Sequence, residues 1–200
     1  MNLSLAAELK TVRRLQDIHM FLQELMPTSK GKLILRISTA ADASSLKDLR
    51  LEALRLHPEV YAVDYDSAAR QDLVWWGDRL SERFNDGKEI ICIAEFNGEL
   101  VGMAGLFRGR WPNTCHSAIV WGVYTKSEWR GLHIAERLMR LCLSWAKEQG
   151  VTIAKIAVIA ENTSALRCYK RCGFVEYGVE PGAILYNGIH HDEVLLALDI

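Results

Sequence analysis

The sequence has no excess of charge of either sign. Its 200 residues include 24 lysines and arginines and 25 aspartates and glutamates, which gives a formal net charge of −1. General nucleic-acid binders carry a basic excess that neutralises phosphates, so the composition disfavours a nucleic-acid partner. The composition is compatible with small-molecule or peptide partners and with local charged patches.

The cysteines lack the spacing of a metal site. The five cysteines form no CxxC pair and no CxxC…HxxxH pattern. Cys168 and Cys172 lie four residues apart on a predicted helix and could form a metal pair, but buried free thiols in a reducing compartment are the favoured interpretation. The sequence also lacks an apolar run long enough for a membrane span and a small-residue cleavage site near its start. We therefore expect no metal, no membrane partner and a cytoplasmic location.

The N-terminal segment is predicted to be a helical arm. Half of the residues in the chain are hydrophobic, which is enough for a packed core. In residues 1–26, leucine, valine and isoleucine recur at steps of three and four residues, as in an amphipathic helix. Pro27 would end this helix, and Thr28–Lys32 would be a linker. We predict an arm and linker at 1–31 and one domain at 32–200. The arm packs on its own domain or forms a contact in a homodimer.

The rest of the chain shows alternating strand and helix patterns. Strands are predicted at Leu33–Ile37, Ile90–Phe96, Leu100–Phe107, His116–Thr125, Thr152–Ile159, Phe174–Val179 and Glu193–Leu198. Helices are predicted from Asp42 or a nearby serine to just before Pro58, and at Ser67–Phe84, Gly131–Gln149 and Thr163–Cys172. Asn97-Gly98 is a preferred pair for a type I′ turn and predicts a hairpin. This order predicts an α/β fold with a mixed central sheet of about six or seven strands and helices on both faces.

Residues 121–135 combine the end of a strand, a short turn and the start of a helix. The first turn of a helix presents amide N–H groups without internal partners and the positive end of the helix dipole, which together suit a phosphate or pyrophosphate. Gly131 lets the backbone come close to an anion, and Arg130 adds positive charge at the rim. An ordinary capped helix after a strand is the alternative interpretation of this segment alone.

A second segment makes the pattern specific. Its members, at fixed offsets after a buried strand, are Asn162, Ala165, Tyr169, Gly173 and Phe174. This segment resembles the second signature of the GNAT superfamily of N-acetyltransferases. The first segment, Arg130-x-x-His133-x-Ala135, resembles the acyl-CoA signature of that family, which is Arg/Gln-x-x-Gly-x-Gly/Ala. The resemblance covers about residues 33–199, and the order of elements matches the fold of the family.

The resemblance implies an acetyl-CoA-dependent N-acetyltransferase that moves an acetyl group to a primary amine of a small molecule or peptide by direct attack of the amine. The backbone of Val123 and Thr125 would bind the pantetheine arm as an added strand, with Tyr124 beside them. The pyrophosphate would be held by the amides of Arg130, Gly131, Leu132, His133, Ile134 and Ala135. Asn162 would steady the cofactor arm. Tyr169 would be the general acid that protonates the leaving thiolate.

Two features depart from the family pattern. His133 stands where the family usually has glycine; we expect it in the first turn of the helix, with helical backbone angles and its N–H aimed at the pyrophosphate. No general base is evident, because the position at which many family members carry a carboxylate falls near the apolar Ile119. Further candidates for the base are His116, Ser117, Glu95, Asp64 and Asp66, and a water relay or an amine that arrives already neutral are alternatives. A non-catalytic acyl-CoA-binding or regulatory module of the same fold is therefore the alternative function.

The acceptor groove is expected at Glu59–Ser67 and at the loop before the strand that begins at His116. A cationic amine would suit the acidic and aromatic side chains of this region, which are Tyr61, Asp64, Tyr65 and Asp66. A solvated loop with both tyrosines folded onto the core is the alternative. Arg108 and Arg110 could instead bind a carboxylate of the acceptor.

Overall fold

The computed structural model describes residues 23–86 and 88–200, with only the backbone at 82–86. Eight strands form one sheet, in the order β1-β2-β3-β4-β5-β6-β8-β7. In chain order these strands are β1 Glu24–Thr28, β2 Gly31–Ile37, β3 Glu89–Phe96, β4 Glu99–Arg108, β5 Ser117–Thr125, β6 Ile153–Ile159, β7 Val175–Tyr186 and β8 Ile189–Asp199. The α-helices are α1 Ala43–Leu56, α2 Tyr65–Ala69, α3 Leu73–Asp86, α4 Ile134–Glu148 and α5 Thr163–Arg171. The predicted mixed α/β fold is confirmed, with eight strands in the described residues rather than six or seven.

The prediction of an N-terminal helix is wrong for its last residues. Strand β1 pairs antiparallel with β2, so residues 24–26 are extended and Thr28–Lys32 belongs to a hairpin rather than a linker. Met26 is buried while Leu25 is 62% exposed, which is the alternation of a strand. The Thr28 hydroxyl donates to the Gly31 carbonyl over 2.7 Å and stabilises the turn. The first 22 residues of the predicted helix lie outside the described residues, and the arm remains a prediction.

The predicted helix Ser67–Phe84 is two helices, α2 and α3. Each helix starts at an aspartate that caps its first turn: Asp64 Oδ1 accepts a hydrogen bond from Ser67 N over 2.8 Å, and Asp72 Oδ1 accepts one from Trp75 N over 2.7 Å. The second cap begins a new helix at Leu73 and interrupts the periodic pattern that predicted one helix.

A second hairpin extends further than the sequence analysis predicted. Asn97-Gly98 joins β3 to β4 with φ angles of 50° and 86°, which confirms the predicted turn. Asn187-Gly188 joins β7 to β8 with nearly the same angles, 49° and 77°. The two last strands therefore run to this turn instead of stopping at Val179 and starting again at Glu193.

The helices pack on both faces of the sheet and enclose two groups of buried side chains. One group places α4 residues such as Leu138 and Trp145 against the middle strands, and the other places α1 and α3 residues such as Leu46 and Trp76 against the opposite face. No helix in residues 23–86 or 88–200 is both long and apolar enough to cross a bilayer. This packing fixes β5 between two helical layers, and the candidate site lies at the end of that strand.

Candidate active site

The candidate site is a cavity between β5 and β6. These two strands pair in parallel only from Ser117 with Ile153 to Ile119 with Lys155. Beyond that point a cavity of about 730 Å³ is lined by residues 120–125 of β5 and 156–159 of β6. The edge of β5 that faces β6 therefore presents backbone groups to the cavity instead of to a neighbouring strand.

A bulge in β5 shapes the cavity wall. Ala104 of β4 lies opposite two residues, Gly122 and Val123, because Gly105 pairs with Trp121 and Met103 pairs with Tyr124. Gly122 adopts a φ of 63°, a left-handed conformation that glycine tolerates best. The bulge bends the strand at the point where it borders the cavity.

Tyr124 follows the bulge and is almost fully buried. Its hydroxyl donates a 2.7 Å hydrogen bond to Glu52 Oε1 of α1. Burial, followed by that hydrogen bond, raises the pKa of Tyr124 well above its usual value. Tyr124 is therefore a neutral phenol that ties β5 to α1, and Glu52 is a partner that the sequence analysis did not identify.

The turn before α4 differs from the expected helical turn. Helix α4 begins at Ile134, not at Gly131, because Gly131 has a φ of 80° and His133 has a φ of 59°. A right-handed helix cannot contain these angles, so the prediction of helical angles at His133 is wrong. The left-handed conformation at position 133 also explains, on physical grounds, why glycine suits this position.

The charges beside the start of α4 are paired. Glu136 lies 3.1 Å from Arg171 Nε, 3.1 Å from Arg140 Nη2 and 3.2 Å from His133 Nδ1. The hydrogen bond from Arg171 is the largest cause that lowers the pKa of Glu136 to about 2. Its carboxylate is therefore ionised at neutral pH, and its charge is offset by two arginines before any anion approaches.

Arg130 links the turn to the other side of the cavity. Its Nε donates to the Thr125 carbonyl over 3.1 Å, and its Nη2 lies 2.9 Å from His57 Nε2. His57 and Arg130 both line the cavity. The guanidinium therefore bridges the anion-binding turn and the segment after α1.

Helix α5 starts at the cavity with Asn162. The Asn162 side-chain oxygen accepts hydrogen bonds from Ala165 N over 3.1 Å and from Ser164 Oγ over 3.0 Å, as expected of an N-cap. Its amide NH₂ has no partner in the part of the chain that the structure describes, and the residue lines the cavity. Arg167, on the same helix, also lines the cavity and forms no ion pair with a described residue. The sequence analysis missed Arg167, because nothing in its spacing sets it apart from other surface arginines.

Tyr169 lies one turn further along α5. It is only 6% exposed and lines the cavity, yet its hydroxyl forms no hydrogen bond with any group that the structure describes. Burial is the main cause that raises the pKa of Tyr169 far above its usual value. The phenol is therefore protonated at neutral pH and available as a hydrogen-bond or proton donor.

Of the four predicted acceptor residues, one lies at the cavity and three lie away from it. Tyr61 lines the cavity, and its hydroxyl donates to the Val123 carbonyl over 3.2 Å. Asp64 caps α2, and the Tyr65 hydroxyl accepts from Arg55 Nη2 over 2.5 Å. Neither of these residues, nor the exposed Asp66 beside them, lines the cavity. The structure therefore brings only Tyr61 to the predicted cofactor residues.

The candidates for the base lie away from the cavity. Glu95 is paired with Arg36 at 2.7 Å, and His116 and Ser117 lie at the end of β5 opposite the cavity. The titratable side chains that line the cavity include His57 and Glu59, which precede Tyr61 in the chain. They follow the end of α1 directly; the sequence analysis placed Glu59 in the acceptor groove but named neither residue as a candidate for the base.

Similarity to known proteins agrees with this geometry. Residues 48–174 match the acetyltransferase (GNAT) family, so the chain belongs to that family. It is 24% identical over 171 residues to the L-amino acid N-acetyltransferase AaaT of Escherichia coli, over 84% of this chain and 98% of that protein. It is therefore an acyltransferase, and its acetyl donor is acetyl-CoA.

Solved structures share the fold. A GNAT-family acetyltransferase from Streptococcus pneumoniae superposes with a TM-score of 0.76 at 19% identity, over 84% of this chain and 99% of that one. YncA, a putative acetyltransferase from Salmonella typhimurium solved with acetyl-CoA, gives a TM-score of 0.68 at 18% identity, over 84% of this chain and 93% of that one. At these identities the similarity concerns the fold alone.

Proposed function

We propose that this chain acetylates the primary amine of a small molecule or peptide by direct attack of the amine on acetyl-CoA. The observation that carries the proposal is the cavity between β5 and β6, around which Tyr169, Asn162 and the start of α4 meet. These three features come from separate segments and contribute a proton donor, an amide donor and an anion site to one opening.

The residues around the cavity fit the donor. The backbone of Val123 and Thr125 lies on the β5 edge where pairing with β6 has ended, so a pantetheine arm can be bound as an added strand. The amides of residues 130–135 precede and begin α4, where a helix favours a pyrophosphate. The unpartnered Asn162 amide can donate to the arm, and Arg167 can add charge beside the phosphates.

The chemistry requires a neutral amine and a protonated leaving group. The amine nitrogen forms a bond to the carbonyl carbon, the C–S bond breaks, and the sulfur takes a proton. Tyr169 supplies that proton, because its phenol is protonated and forms no hydrogen bond with a described residue. The tyrosine is reprotonated from solvent, which has access through the cavity.

Glu59 is the better candidate for the group that takes the amine proton. His57 Nε2 lies 2.9 Å from Arg130 Nη2, and a guanidinium can only donate, so Nε2 accepts and its lone pair is occupied. Glu59 lines the cavity and has no such partner among the described residues. We therefore assign the base to Glu59.

Tyr61 and Trp121 line the acceptor side together with Glu59, and aromatic faces beside a carboxylate suit a protonated amine before it loses its proton. The relative AaaT is described as acting on L-amino acids, which makes amino acids the first acceptors to test. All five cysteines are free thiols, which favours a reducing compartment, and we place the protein in the cytoplasm.

The test is thiol release from acetyl-CoA in the presence of a panel of amines, with the acetylated product identified by mass spectrometry. We expect thiol release that depends on the acceptor. Absence of acetyl-CoA binding by calorimetry at millimolar concentration would contradict the proposal. Binding without turnover across a broad panel would favour the non-catalytic module instead.

A further inference from the structure

Arg50 is a buried cation without an anionic partner among the side chains that the structure describes. It lies in α1, is only 8% exposed, and its Nη1 atom is sealed from solvent without a hydrogen-bond partner in the described residues. Burial lowers the pKa of Arg50, because the charged form is poorly solvated there. Arginine is seldom buried unless it is paired, so this site would be stabilised by an anion.

The guanidinium lies directly behind the wall of the cavity and is not itself one of the lining residues. Its Cζ lies 4.4 Å from the centre of the Tyr61 ring and 5.9 Å from the Trp121 ring. Its Nη1 lies 3.6 Å from the point where a Cβ on Gly122 would stand. Tyr61, Trp121 and Gly122 all line the cavity. Aromatic faces attract the charge but do not accept its in-plane N–H donors as a carboxylate does.

A second arginine strengthens the positive potential at this wall. Arg79 Cζ lies 5.3 Å from the same Trp121 ring, on the side of α3. Arg79 is paired with Glu89 at 3.5 Å, so part of its charge is already offset. Arg50 has no carboxylate partner among the described residues and is therefore the group with hydrogen-bonding capacity left for a ligand.

We propose that Arg50 binds a carboxylate of the acceptor, so that the acceptor class is a small molecule with both a primary amine and a carboxylate, such as an α-amino acid. This inference rests on the proposed function, since it concerns the acceptor side of the same cavity. A planar guanidinium matches a carboxylate with two parallel hydrogen bonds. These two hydrogen bonds fix the orientation of the acceptor, so that the amine of the acceptor reaches the carbonyl of the donor.

The other arginines considered for this role lie elsewhere. Arg108 pairs with Ala118 near the start of β5, at the opposite end from the cavity, and its Nη1 donates to the Gln149 carbonyl over 2.8 Å. Arg110 follows β4 in the loop that leads to the same end of β5. The proposed carboxylate site is therefore assigned to Arg50 in helix α1 and not to Arg108 or Arg110.

The first test uses the unaltered protein and matched acceptors: an L-amino acid, its amide, and the amine that lacks the carboxyl group. We expect kcat/KM for the amide and the amine to be lower by roughly 10²-fold or more, because a site built to pair a group rejects analogues that lack it. Equal kcat/KM for acid and amide would overturn the role of Arg50 and leave the acetyltransferase proposal intact. Absence of thiol release with every amine would instead contradict the proposed function.

The second test compares Arg50→Met and Arg50→Lys with the control Arg55→Met. Arg55 lies on the same helix and stacks on Tyr65 at 4.8 Å, away from the cavity. We expect Arg50→Met to raise KM for the amino acid and to bring the acid-to-amide ratio close to one, with Arg50→Lys in between. Arg55→Met should keep the unaltered ratio. A ratio that survives in a folded Arg50→Met variant would overturn the inference. If that variant does not fold, the matched acceptors on the unaltered protein decide.

Discussion

The two sides of the cavity are built by different means. The side proposed to bind the donor relies mainly on backbone, which is the open edge of β5, the turn before α4 and the start of α5, with a few side chains of α5 added. The side proposed to bind the acceptor consists of side chains from distant positions in the chain, with Arg50 in contact with the rings of Tyr61 and Trp121. A backbone site recognises a ligand that does not change, whereas a side-chain site can change its specificity without disturbing the donor. The two sides should therefore respond differently to mutation.

The largest effect is expected at Tyr169, where a loss of catalytic rate should occur without a loss of acetyl-CoA affinity. Tyr169→Phe removes the phenol and keeps the ring, so kcat should fall by roughly 10²–10⁴-fold, the usual range for general acid catalysis. Acetyl-CoA affinity, measured by calorimetry, should change little. Tyr177→Phe is the matched control, because Tyr177 is 59% exposed on β7 and does not line the cavity. Equal rates for Tyr169→Phe and the control would show that the proton comes from another group.

A smaller effect should appear at Asn162, where one side chain has two roles. Asn162→Asp keeps the capping oxygen and replaces the free amide with an anion, so stability should stay nearly constant while acetyl-CoA binds roughly tenfold more weakly. Asn162→Ala should in addition cost about 1 kcal/mol of stability through loss of the cap. Thermal melts and calorimetry measure the two quantities separately. If Asn162→Asp lowers the stability and leaves the affinity for acetyl-CoA unchanged, the side chain does not have these two roles.

The turn before α4 should give effects of about 1 kcal/mol in opposite directions. His133→Gly relieves a left-handed φ of 59° and should raise the melting temperature, because glycine adopts this region without steric cost. Gly131→Ala imposes a side chain at a φ of 80° and should lower it. An added Cβ at Gly131 meets no atom within 4 Å, so backbone strain alone acts there. Acetyl-CoA affinity should be equal or tighter for His133→Gly. At least tenfold weaker binding at both pH 6 and pH 8 would make His133 a phosphate ligand.

The smallest effect concerns the pH dependence of stability at Glu136. Its pKa is lowered to about 2 in the folded protein, so its stabilising contribution is present above its ordinary pKa of 4.5 and is lost as the pH falls toward 2. Glu136→Gln should therefore be less stable than the parent protein at pH 7, and the difference should shrink below about pH 4.5. Urea denaturation at several pH values measures this difference. A constant difference across that range would show that the ion pairs with Arg140 and Arg171 contribute no net stability.

The difference between the two sides also decides what the sequence could predict. The segments that form the proposed donor side could be located from the sequence because they are local: a strand end, a Gly-containing turn and an Asn-capped helix each lie within a few consecutive residues. The left-handed angle at His133 could not be predicted, since histidine gives no signal for it and only the glycine of the family pattern pointed to it. The Asn187-Gly188 turn could have been found, because it repeats the Asn-Gly pair that was recognised at Asn97.

The residues of the proposed acceptor side could not be predicted from the sequence in the same way. Arg50 has the sequence context of an ordinary helical arginine, and its burial depends on Tyr61 and Trp121, which approach only when α1 packs on the sheet. Asp64 and Tyr65 had the right chemistry for an amine, but they are used to cap α2 and to contact Arg55. Long-range packing, rather than residue type, selects which polar groups reach the cavity.

The most direct test of the account is hydrogen–deuterium exchange with and without saturating acetyl-CoA. The backbone role of the donor side predicts slower exchange at residues 120–125 and 130–135, because amides that bind a ligand are protected from solvent. Residues 109–116, at the opposite end of β5, should exchange at the same rate in both conditions. Binding of acetyl-CoA without protection of 120–125 and 130–135 would contradict the assignment of the donor to the β5 edge and the start of α4.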